Sequence, residues 1–149
     1  MTRARYSSRF AAKADDLFAF HCDPSNLPRI SPPLPHVRVG RARAPMQEGD
    51  LQEFTLMFGP WPILWHARIA RLVPGSVIVD VQERGPFRMW RHSHRVETAD
   101  SQVWLTDEIT FRLWPTAVGE FAEYWLVRPF LLGMLWWRHR RTRAMVAGH

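Results

Sequence analysis

The chain has 149 residues, 46% of them hydrophobic, with 8 Trp, 9 Phe and a formal net charge of +6. That size and apolar content fit one domain over residues 1–149 with a sizeable core, and they exclude a disordered or low-complexity chain. Lys13 is the only lysine, and the arginines are scattered except for Arg138, Arg140, Arg141 and Arg143, so no basic face interleaved with aromatics marks a nucleic-acid partner.

The first element expected is a strand from Arg3 to Phe10; this segment is basic and has no apolar h-region, so no signal peptide is expected. Asp15 or Asp16 can cap a short helix through His21, and Pro24 can begin a second one through Ile30. Cys22, the single cysteine, excludes an internal disulfide framework and suits a reducing cytoplasm. Pro32, Pro33 and Pro35 then force an extended exit. Strands are expected at Val37–Ala42, Leu51–Phe58, Ile63–Leu72, Val77–Glu83, Phe87–Glu97 and Val103–Leu113. Turn residues separate them, among them Gly59-Pro60, Pro74-Gly75, Gly85-Pro86 and a turn centred near Asp100. Such short connections imply an antiparallel meander. A helix from Val118 to Arg143, kinked or split at Pro129, closes the chain.

The last helix carries Val118, Phe121, Ala122, Trp125, Leu126, Leu132 and Trp136, read here as a stripe seeking an apolar sheet to cover. Its 117–137 stretch is long enough to span a bilayer, but Glu120, Glu123, Arg128 and Pro129 interrupt it, so no integral membrane association is expected. Seven curved antiparallel strands around one long helix make an α+β fold, and a cavity between sheet and helix follows naturally.

Period-two alternation selects the residues of interest. In Phe87–Glu97, Trp90, His92, His94 and Val96 share one face, while Met89, Arg91, Ser93 and Arg95 share the other. In Val103–Leu113, Asp107 falls on the face of Val103, Leu105, Ile109 and Phe111. Ile63, Trp65, Ala67 and Ile69 share a face of their strand, with His66 opposite. For residues 77–83 the valine face and the Ile78/Asp80/Gln82 face compete, and the inward one is open. Two histidines on a buried face need polar partners. A turn centred near Asp100 brings Asp107 between His92 and His94, and a shift of one residue sets it across from one of them. A hydrogen bond from one of these rings to Asp107 is the expected outcome.

The segment Phe18-Ala19-Phe20-His21-Cys22-Asp23-Pro24 through Pro32 resembles the opening of ligand-binding SRPBCC-domain proteins, the START-like, polyketide-cyclase-like helix-grip superfamily. Gly49, Trp65 with Ile69, the run Gly85-Pro86-Phe87-Arg88-Met89-Trp90-Arg91-His92-Ser93-His94, Thr106-Asp107-Glu108 and Arg138-His139-Arg140 continue the likeness over nearly the whole chain. The resemblance implies a helix-grip fold with a hydrophobic ligand cavity, and it does not imply a reaction. Phe111 stands where many relatives would carry tyrosine.

The leading expectation is a cytoplasmic binding protein for a small hydrophobic or aromatic ligand, a monomer or homodimer, with no cofactor. The expected lining is Phe20, Trp65, Trp90, His92, His94, Asp107, Ile109, Phe111 and Trp125. A cyclase, aromatase or dehydratase using His92 or His94 with Asp107 is the alternative, since a carboxylate orients and charges an imidazole. A structural hydrogen-bond network of the same residues is the plainest reading. A metal on His92 and His94 needs a third ligand such as Asp107 or His66, and no metal is expected. A peripheral lipid-handling role rests on the Trp136-Trp137-Arg138 end of the helix, whose arginines also complement the helix C-terminus.

Overall fold

In the computed structural model, which describes residues 1–146, alternating burial and turn chemistry produce one seven-stranded antiparallel sheet closed over a long helix. The elements are β1 (Thr2–Phe10), α1 (Ala14–His21), α2 (Leu27–Ile30), β2 (His36–Val39), β3 (Leu51–Phe58), β4 (Trp61–Val73), β5 (Val77–Arg84), β6 (Met89–Ala99), β7 (Gln102–Arg112), α3 (Ala117–Ala122) and α4 (Arg128–Val146). Sheet order is β1-β7-β6-β5-β4-β3-β2, so every pair but β1–β7 is a sequential hairpin neighbour. Register irregularities between His66 and Ala67, and between Ile69 and Arg71, sit where β4 must bend.

Two boundaries move for identifiable reasons. β2 stops at Val39 rather than Ala42, because Gly40 N–H donates to Glu53 O while Glu53 N–H donates to Arg41 O; two residues then oppose one and the regular ladder ends. β6 runs Met89–Ala99 rather than Phe87–Glu97, and joins β7 through Asp100 and Ser101, both at positive φ (52° and 64°). That two-residue turn has the twist hairpins favour. Its centre lies between Asp100 and Ser101, and the register follows: His94 pairs with Asp107.

The closing helix is split, as the proline implies, though the break precedes it. A π-helical turn over Glu123–Val127 separates α3 from α4. Pro129 has no N–H for the carbonyl of Trp125, and a wide turn accommodates its ring. The expected apolar stripe is wrong. Val118 (74% exposed), Phe121 (61%), Trp125 (62%), Leu126 (66%) and Trp136 (45%) face outward. The covered face is instead Gly119, Glu123, Leu131, Leu135, His139, Thr142 and Val146. Three of these are polar, so an apolar pattern alone points to the wrong side, and the wide turn resets the phase between the two halves.

Buried apolar residues form two clusters. One gathers Phe10, Leu17, Phe18, Ile78, Val96, Leu105 and Val146. The other gathers Ala4, Trp90, Ile109, Phe111, Leu131 and Leu135. Along β6, β7 and α4 alike, the polar residues described next fall between them.

Candidate functional site

Asp107 is 3% exposed and is the centre of the site. Its Oδ1 accepts from His92 Nε2–H at 2.8 Å and its Oδ2 from His139 Nε2–H at 2.5 Å. His94 Nδ1 lies 2.6 Å from Oδ1 in a close ion pair, and His94 Nε2 lies 3.4 Å from Asp80 Oδ2. Four elements therefore converge: β5 gives Asp80, β6 gives His92 and His94, β7 gives Asp107, and α4 gives His139. The expected bond from a β6 histidine to Asp107 is present, and the one-residue register shift supplies the geometry. With Nε2–H donating to Asp107, His139 Nδ1 accepts from the Ser8 hydroxyl at 2.6 Å, and Ser8 Oγ accepts from Arg143.

The electrostatics separate the rings. Burial alone lowers the pKa of His94, but Asp107 and then Asp80 outweigh it and push the ring up to about 9. His94 is thus an imidazolium at neutral pH. Burial and the neighbouring His94 charge push His92 down. Burial would raise Asp107, yet the His94 charge and the bonds from His139 and His92 hold it well below the usual carboxylate range. His21 was not among the expected site residues. Its Nδ1–H donates to Leu17 O at 3.0 Å, and its ring centroid lies 5.8 Å from that of His94. Burial, then the His94 charge, push it down to about 4, so it is neutral at pH 7.

A cavity of about 580 Å³ opens between sheet and helix above this cluster. Trp65, Trp90, His92, His94 and Asp107 line it, on the faces that strand parity gives them, and so does Phe20 from α1. The two indoles pack edge to face at 4.9 Å, with Phe87 4.8 Å from Trp90. On β5 the inner residues are Ile78 and Asp80, which resolves the open choice against the valines. His66 faces away, 4.0 Å from Glu53. Exposed lining residues, Phe58, Pro86, Leu126 and Phe130, mark the mouth.

Three expected lining residues do not line the cavity. Ile109 and Phe111 are fully buried core behind it, and Phe111 stacks near Phe87 and Trp90. Trp125 lies outside on the misread helix face, against Phe121 and Tyr124. Sequence reasoning missed His21, Asp80, Arg138 and His139 as lining groups. The signal for His139 was the four-residue step Leu131, Leu135, His139. As for metals, Asp80, His92 and His94 have ligand atoms within 4.8 Å of one another and are the described residues that could hold a cation; His66 is not one of them. A cation there would have to displace the proton that His94 holds between two carboxylates.

The fold agrees with the comparisons. Residues 10–135 match the family model described as "Polyketide cyclase / dehydrase and lipid transport", and the chain belongs to that family. No curated protein matches it. Among solved structures, protein CV1439 from Chromobacterium violaceum is 15% identical, with TM-score 0.75 over 98% of each chain. The major latex-like protein 151 of Panax ginseng is 12% identical, with TM-score 0.73 over 97% of each chain. The di-domain ARO/CYC StfQ of the steffimycin biosynthetic pathway is 15% identical, with TM-score 0.71 over 98% of this chain and 50% of that one. These are helix-grip neighbours, and at such identities they share the fold. Among the described residues no helix is long and apolar enough to cross a membrane.

Proposed function

We propose that this protein binds a small hydrophobic or aromatic molecule in its internal cavity. The observation that carries the reading is the cavity of about 580 Å³, walled by Trp65, Trp90 and aliphatic side chains and closed at its inner end by the Asp107 cluster. That volume falls in the range of small-molecule sites, and apolar area removed from water drives such binding at about 25 cal/mol per Å² before association costs. Cytoplasmic residence, no nucleic-acid partner and a monomeric or homodimeric state belong to the same reading.

The test is a titration with a neutral aromatic probe such as 2-naphthamide, read by quenching of the cavity indoles, alongside native mass spectrometry of freshly purified protein. The expected result is saturable quenching that Trp65→Leu weakens. Absence of saturable quenching by any apolar probe, with no co-purifying small molecule, overturns the proposal.

One observation supports a second reading. His21 is neutral at pH 7, lines the cavity, and spends only its Nδ1–H on the backbone. A free Nε2 beside the His94 imidazolium sets a proton acceptor, weakened by its lowered pKa, next to a proton donor, a pairing that a dehydration or cyclisation of a carbonyl substrate can use. Conversion of a polyketide-like substrate that is lost in His21→Ala would establish it.

A further inference from the structure

The charged groups along the cavity are nearly all paired. Asp107 is met by three imidazoles, and Asp80 by His94. Asp23 accepts from the Ser25 N–H and hydroxyl, whereas Arg138 has no close partner, Asp107 and Asp80 acting on it only from a distance. Arg138 projects from α4 into the cavity one residue before His139, and no carboxylate among the described residues comes within 4 Å of it. Its one side-chain hydrogen bond is a long one, from Nη2 to Ser31 Oγ at 3.5 Å, and its Nε is buried without a partner. Gln52, 4% exposed on β3 and lining the same cavity, leaves its Nε2 buried and unpartnered as well. Taking an N–H out of water without an acceptor is costly, and more so for a cation. Two unspent donors in one cavity are free for an acceptor carried by an occupant.

We infer that Arg138 is an anchoring site for a carboxylate on an otherwise apolar ligand, with Gln52 supplying a second donor. The inference rests on the binding function proposed above and specifies the ligand's chemistry. A guanidinium offers a planar fork that matches a carboxylate's two oxygens, and such charge-assisted pairs are the strong hydrogen bonds of protein sites. The geometry also orients the occupant. Phe130, at the mouth, precedes Arg138 by eight residues on α4, about 12 Å along the helix axis. A ligand with its acid group at Arg138 therefore lays its apolar body along the Trp65–Trp90 wall toward the opening. A fused-ring or medium-chain monocarboxylic acid has that length and polarity.

The experiment compares 2-naphthoate with the nearly isosteric neutral 2-naphthamide, both read by indole quenching at pH 7. The wild type is expected to favour the carboxylate by tenfold or more. In Arg138→Gln that preference should collapse to within twofold, and Arg138→Lys should keep part of it. Equal affinity of the wild type for the two probes overturns the inference while leaving the binding function intact. A carboxylate preference that survives in folded Arg138→Gln overturns it too. Failure of both probes to bind the wild type brings down the binding function and this inference with it. His94 is a second cation in the cavity, so a wild-type preference is assigned by the variants; where Arg138→Gln folds poorly, Arg138→Met is read in its place with the same expected collapse.

Discussion

Asp107 shows how much one buried carboxylate can organise. An isolated carboxylate at 3% exposure would be held protonated by burial, but three imidazoles and the charge on His94 reverse that. The consequence is read most directly at His94. Asp107→Asn removes the larger of the two attractions that keep His94 at about 9 and leaves Asp80, so the His94 pKa should fall toward or below 6.5, seen in an NMR titration of its ring protons. An unchanged midpoint would mean that Asp80 alone charges the ring. The β-strand half of this cluster was legible in the sequence, because period two fixes parity locally: Trp90, His92 and His94 had to share a face with one another, and the hairpin turn tied them to Asp107. Asp80 was not legible, since valines occupy the opposite face of β5 and are buried too.

At the scale of elements, helices were harder to read than strands. A strand's facing is settled by its neighbours two residues away, whereas the facing of the closing helix has to be carried across more than twenty residues. The π-helical turn at Glu123–Val127 breaks that count, and so Trp125 was assigned inward and His139 was not. α3 is fixed by a close approach: Gly119 lies so near the Trp114 carbonyl that an added Cβ would sit 2.3 Å from the oxygen. Gly→Ala inside a helix normally stabilises by about 1 kcal/mol. Here the neighbour is backbone and cannot rotate away, so Gly119→Ala should instead destabilise by about 1–3 kcal/mol, the usual cost of overpacking. Chemical denaturation measures it, and a gain in stability would show that α3 can shift freely.

For the molecule as a whole, the cluster sets the pH range in which the fold is strongest. His94 titrates at about 9 when folded against an ordinary 6.5, so its contribution is fully present below about pH 6.5 and is lost as pH rises through 9. His21 is shifted the other way, to about 4, so its burial in neutral form counts against the fold progressively as pH falls from 6.5 toward 4. Asp107, held below its usual value, adds a loss at still lower pH. The denaturation midpoint should therefore peak near pH 6.5–7 and fall on both sides; a monotonic profile from pH 4.5 to 9.5 would contradict these assignments. The same polar contacts also decide which parts of the cavity wall are free to move. Glu123 takes Leu113 N–H at 2.7 Å and the Thr2 hydroxyl at 2.8 Å, while His139 is tied to Asp107 sixteen residues later, about 24 Å along the axis. The long helix is thus a beam riveted at both ends, with the cavity beneath its span. It is a poor door. The 85–88 turn is held too, because Gln82 takes both the N–H and the carbonyl of Phe87. Passage in and out therefore falls to the proline-rich residues 32–35, which among the described residues make no side-chain hydrogen bond to the rest of the fold, so the traffic of the site is set by that one loop while its floor and ceiling stay still.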